Sequence, residues 1–141
     1  MYALTTEASF DSAHFLAGYN GKCRNIHGHR WNIKVDICGS MLEEDGCLRG
    51  MLMDFGDMKK VLKAMADYFD HAFIIEKNSL RPLTLQALKE EDFRIVEVDF
   101  RPTAENFAKY FFDELKCKNL PVKQVIVYET PGNCALYSEG V

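Results

Sequence analysis

His29-Arg30-Trp31-Asn32-Ile33-Lys34-Val35-Asp36-Ile37 alternates apolar and polar residues without a break. Trp31, Ile33, Val35 and Ile37 share one face; Arg30, Asn32, Lys34 and Asp36 share the other. That is the period-two pattern of a half-buried strand. If the strand runs from Gly28 to Gly39, His27 and His29 lie on one face, at the end of the buried stripe.

One step toward the N-terminus, Cys23-Arg24-Asn25-Ile26-His27-Gly28-His29 packs a thiol and two imidazoles into seven residues. Imidazole suits zinc, and a catalytic zinc needs three protein ligands and an open position. A third histidine, His14, sits in Phe10-Asp11-Ser12-Ala13-His14-Phe15 and could come from the end of the neighbouring strand. A cation there would lower the pKa of the Cys23 thiol beside it. Two competing readings stand. His-x-His pairs are commonly core or surface histidines without an ion. Cys23 could instead ligate a structural metal, although none of the cysteines (23, 38, 47, 117, 134) shows C-x-x-C spacing.

The remaining elements are read outward from this strand. Tyr2 to Phe10 is a first strand, and Gly18-Tyr19-Asn20-Gly21 and Glu43-Glu44-Asp45-Gly46 are turns. Asp54 caps a helix whose stripe is Phe55, Met58, Val61, Leu62, Met65 and Phe69. The helix delivers Asp70-His71 at its end. Ile75 to Asp99 is polar and mixed and is expected to be mostly a long loop, with a short extended piece at Ile95-Val96-Glu97-Val98. Thr103 caps a second helix with Phe107, Phe111 and Leu115 inward. Val122 to Tyr128 and Cys134 to Tyr137 are the last two strands. The order ββααββ predicts an α+β fold in one domain, residues 1–141: a four-stranded antiparallel sheet with two helices on one face. The open sheet edges point to assembly.

Composition excludes several classes. Net charge is −4, against a nucleic-acid binder. No apolar run reaches the roughly 18 residues of a membrane span. The N-terminus lacks a signal-peptide pattern. Five cysteines without a framework suggest reduced thiols and a cytoplasmic location. Asp70 and His71 could form a proton relay, or His71 could simply stabilise the helix end. Glu129, ending a buried stripe, needs a donor partner from the protein or from a ligand.

Taken in order, Phe10-Asp11-Ser12-Ala13-His14, Cys23-x-x-x-His27-Gly28-His29, Met53-Asp54-Phe55, Asp70-His71, Pro102-Thr103-Ala104-Glu105-Asn106 and Glu129-Thr130 before Ala135-x-Tyr137 resemble the 6-pyruvoyltetrahydropterin synthase / 6-carboxytetrahydropterin synthase family. The resemblance implies the tunnelling fold, with subunits joined into a barrel and active sites at subunit interfaces. It implies Zn2+ on His14, His27 and His29, a catalytic thiol at Cys23, a proton relay at Asp70 and His71, and a pterin-anchoring carboxylate at Glu129, with Thr103 a further substrate contact. The implied partners are a pterin triphosphate, 7,8-dihydroneopterin triphosphate, and other copies of the chain. Three residues between Cys23 and His27 resemble the bacterial carboxytetrahydropterin branch of queuosine (7-deazaguanine) synthesis. That implies a lyase releasing acetaldehyde and triphosphate. The alternatives are the pyruvoyl reaction and a non-catalytic pterin- or metal-binding protein. The chain departs from the family pattern in the long segment 75–99 and in Arg101, where asparagine often precedes Pro-Thr.

Overall fold

The structure, a computed structural model, describes residues 1–140. The decisive strand is β2, His27–Gly39, and it lies at the centre of the sheet. Its neighbour β1, Tyr2–His14, pairs antiparallel along the full length, from Tyr2 opposite Gly39 to His14 opposite His27. β1 therefore runs four residues past the expected end at Phe10, and those residues carry His14 to the histidine pair.

Helix α1, Phe55–Phe69, and helix α3, Ala104–Cys117, cover one face of the sheet. Asp54 caps α1 by accepting from the Gly56 N–H at 2.6 Å, and Thr103 caps α3 by accepting from the Asn106 N–H at 3.2 Å. α1 buries Met58, Leu62, Ala66 and Phe69, whereas Phe55, placed on the stripe by periodicity, is exposed. α3 buries Phe107, Phe111 and Leu115 as its spacing predicts. Between helices and sheet lies an aromatic core in which Phe10 stacks on Trp31 and Phe111 stacks on Phe107.

The sheet has six strands rather than four, in the order β4-β3-β1-β2-β5-β6. β5, Val122–Thr130, and β6, Asn133–Ser138, complete the antiparallel half. The segment expected to be mostly a loop, 75–99, instead holds the last two residues of β3 (Ala72–Glu76) and all of helix α2 (Pro82–Glu90), and its expected extended piece is β4 (Ile95–Val98). β3 pairs parallel with both β1 and β4, so the sheet is mixed. A parallel pair needs a crossover, and α2 supplies it, opened by Pro82 at a position where no N–H is needed. No described helix is long and apolar enough to cross a membrane.

The face away from α1 and α3 is polar. There Thr5 donates to Asp36, Gln124 donates to the other Asp36 oxygen, Ser9 donates to Asn32, and Asn32 reaches Glu7.

Candidate metal and active site

Strand alternation and the β1–β2 register bring His14, His27 and His29 together on the helix-covered face. Glu129 joins them from β5, the strand on the other side of β2. One ligand atom from each of the four lies within 4.8 Å of every other. His14 is fully buried; the other three are half-buried. Trp31 lies beneath the cluster, edge-on to His14 and His29 at 5.1 and 5.5 Å between ring centroids.

Backbone carbonyls orient two of the rings. His14 Nδ1 lies 2.8 Å from the Pro102 carbonyl, and His27 Nδ1 lies 2.7 Å from the Asn25 carbonyl. A carbonyl only accepts, so each Nδ1 carries the proton and each Nε2 keeps a lone pair. Those two lone pairs face each other across 3.1 Å. His29 Nε2 is buried without a hydrogen-bond partner, 3.1 Å from a Glu129 oxygen that also lies 3.4 Å from His14 Nε2. Burial pushes the His14 pKa down to about 4, and burial likewise lowers that of His29 against the pull of Glu129. Neutral imidazoles with converging lone pairs fit a cation. Tetrahedral ligands about 2.0–2.1 Å from zinc lie about 3.3 Å from one another, close to the spacings here. His14, His27, His29 and Glu129 thus form a cluster able to hold a metal ion.

Cys23 sits in a short 3-10 turn, Lys22–Arg24, with its thiol half-buried. Its carbonyl accepts from the Leu16 N–H at 2.9 Å, which closes the loop between His14 and His27. Asn25 ends that turn and also holds His27.

Asp70 and His71 join α1 to β3. Asp70 Oδ1 accepts from the Asp11 N–H at 2.9 Å, while Oδ2 accepts from His71 Nδ1 at 2.9 Å. The His71 N–H donates to the Asp11 carbonyl at 2.6 Å. His71 holds a left-handed φ of 56°, uncommon outside glycine. Its imidazole borders a cleft of about 590 Å³ with Asp11, Ala13, Gly28 and Arg30, which alternate with the histidine ligands, and the cleft also reaches His29. His71 precedes Ala72, which pairs with Ser12, so the Asp70–His71 pair stands at the β1–β3 end of that cleft.

The sequence-predicted residues divide accordingly. His14, His27, His29 and Glu129 meet; Asp70 and His71 meet each other outside that cluster; the Thr103 side chain is engaged as the α3 cap. Sequence reading missed the Pro102 and Asn25 carbonyls and the Asp11 backbone, because a main-chain group leaves no residue-type signal.

The profile of the family described as 6-pyruvoyl tetrahydropterin synthase matches residues 3–140. A Haemophilus influenzae protein named 6-carboxy-5,6,7,8-tetrahydropterin synthase is 36% identical over 142 residues, covering 99% of this chain and all of that protein. A protein of the same name from Aquifex aeolicus is 34% identical over 84% of this chain and 76% of its own length. Among solved structures, an uncharacterised protein from Wolinella succinogenes superposes with a TM-score of 0.82 at 20% identity, covering 99% of this chain and 98% of that one, which shows the fold. The 6-pyruvoyl tetrahydropterin synthase of Caenorhabditis elegans superposes with a TM-score of 0.66 at 27% identity and the same coverage. With its fold, its ordered motifs and a profile match over nearly every residue, this chain belongs to the 6-pyruvoyl tetrahydropterin synthase family.

Proposed function

We propose that this chain converts 7,8-dihydroneopterin triphosphate and one water to 6-carboxy-5,6,7,8-tetrahydropterin, acetaldehyde and triphosphate. The observation that carries the reading is the convergence of His14, His27 and His29 nitrogens, two of them with lone pairs aimed at one point. These three histidines would hold Zn2+, which when bound supplies Lewis-acid polarisation of the substrate's side-chain hydroxyls. Cys23 takes a proton from the substrate side chain as general base. His71, oriented by Asp70 Oδ2, gives or takes the second proton. Glu129 accepts from the amide and amino groups of the pterin ring and fixes its C6 substituent toward the histidines. Relatives named for the carboxy reaction, with a full-length match at 36% identity, support that branch.

The chain works as a homo-oligomer with active sites between subunits. On this reading a substrate at one chain's histidines meets the Asp70–His71 relay of another, which the open sheet edges at β4 and β6 support.

The deciding experiment is incubation with 7,8-dihydroneopterin triphosphate, trapping of acetaldehyde, and mass spectrometry of the pterin. A pyruvoyl product without acetaldehyde would move the chain to the other branch; no consumption with zinc bound would make it a binding protein. Cys23→Ala is expected to keep its zinc and lose turnover by a factor on the order of 100 or more. Each of His14→Ala, His27→Ala and His29→Ala is expected to lose zinc. Glu129→Gln is expected to keep zinc and lose affinity for a pterin analogue; zinc loss there would make Glu129 a ligand instead.

A further inference from the structure

Arg101, a departure from the family pattern, stands beside two groups already placed at the site. The next residue, Pro102, orients His14 through its carbonyl, and Thr103 caps α3. The half-buried Arg101 side chain turns away from both. Nη2 donates to the Ala17 carbonyl at 3.0 Å, and the guanidinium lies 5.6 Å from the centre of the Tyr19 ring. Tyr19 covers Gly21 in turn: a Cβ built on Gly21 would fall 2.6 Å from Tyr19 Cε1. The Gly21 carbonyl accepts from the Arg24 N–H at 3.2 Å and so starts the turn that carries Cys23. Tyr19 N–H bonds the Leu16 carbonyl at 3.2 Å, and Leu16 N–H bonds the Cys23 carbonyl at 2.9 Å.

These contacts form one chain from the start of α3 to the thiol. The Nε of Arg101 is buried without a partner, a cost that surface charge alone does not explain. A planar cation that stacks on a ring and donates at its edge is a task lysine does not perform.

We propose that Arg101, acting through Tyr19 and Gly21, is a positioning residue that fixes where the Cys23 thiol stands relative to the histidine cluster. The catalytic consequence rests on the role proposed above for Cys23. One tripeptide, Arg101-Pro102-Thr103, then references both His14 and the thiol loop to the same helix end.

The test uses the zinc-loaded enzyme and five variants: Arg101→Ala, Arg101→Lys, Tyr19→Phe, Tyr19→Ala and Gly21→Ala. Zinc content, kcat, KM and the rate of iodoacetamide labelling at Cys23, read from its peptide mass, are measured for each. Arg101→Ala, Arg101→Lys, Tyr19→Ala and Gly21→Ala are expected to keep zinc and lose kcat by about tenfold to a hundredfold, as small misplacements of a reacting group do. KM should move by less than about twofold, since uniform binding is untouched. Labelling at Cys23 should speed up by about fivefold or more as the loop loosens. Tyr19→Phe, which keeps the ring, should match the parent. Parent-like kcat and labelling in Arg101→Ala, full rescue by lysine, or zinc loss in step with kcat would each overturn the proposal. Should Arg101→Ala not fold, Gly21→Ala carries the same comparison. If Cys23→Ala keeps full turnover, the thiol's catalytic role fails while the labelling rates still decide the clamp.

Discussion

Asp70 divides its two carboxylate oxygens between a backbone and a side chain. Oδ1 accepts from Asp11 N–H and Oδ2 from His71. The Asp11 N–H, then His71, hold its pKa below the ordinary carboxylate range. A depressed carboxyl contributes stability that is fully present above its unfolded value of about 3.9 and is lost as pH falls through the lower folded value. The group is partly exposed, so solvent screening keeps that contribution modest. In urea titrations the parent's advantage over Asp70→Asn should be constant from about pH 5 to 7 and shrink below about pH 4. A difference that does not change with pH would mean the carboxylate's charge is not what matters. The Asp-His pair was legible in the sequence as neighbours. Its hold on the Asp11 backbone was not, because that contact joins residues 59 apart and involves no side chain of Asp11.

Helix α3 shows how an element's end serves the site. Thr103→Ala removes the acceptor for Asn106 N–H and is expected to destabilise the chain by about 1 kcal/mol, with Thr103→Ser restoring most of it. Thermal or urea unfolding of the two variants checks this; equal stability of Thr103→Ala and the parent would leave the cap without energetic weight. The elements legible in the sequence are those with one wet and one dry side. β2 alternates, α1 and α3 carry stripes, and Asp54 and Thr103 are caps of standard type. β3 and α2 escaped because they break that condition, while the extended piece expected at 95–98 is β4. β3 is an apolar run, Ala72-Phe73-Ile74-Ile75, as parallel strands often are, and α2 buries no residue at all. The site was legible for the same reason as β2: period two put His27 and His29 on one face. His14, read as coming from the neighbouring strand's end, arrives there by register, and Glu129, read as a carboxylate ending a buried stripe, proves to stand against the histidines only through the pairing of β5 with β2.

At the scale of the whole molecule, the sheet ends in two unpaired edges, β4 and β6. Copies of the chain can pair at such edges, and the shared site proposed above requires that assembly. Light scattering should therefore find a species larger than the 16.2 kDa chain, and a fully active monomer would rule the shared site out. Mixed Cys23→Ala and His71→Ala chains, each inactive alone, should regain part of the activity on reassembly. No recovery after verified subunit exchange would place thiol and imidazole in one chain's site.

The polar ladder on the uncovered face has a consequence for the order of events in a cell. Thr5, Asp36, Gln124, Ser9 and Asn32 already satisfy one another across the strands. A newly synthesised subunit thus presents a wetted sheet face, with its unpaired main-chain groups at two short margins. Crowded refolding should lose material at those margins and not across the broad face.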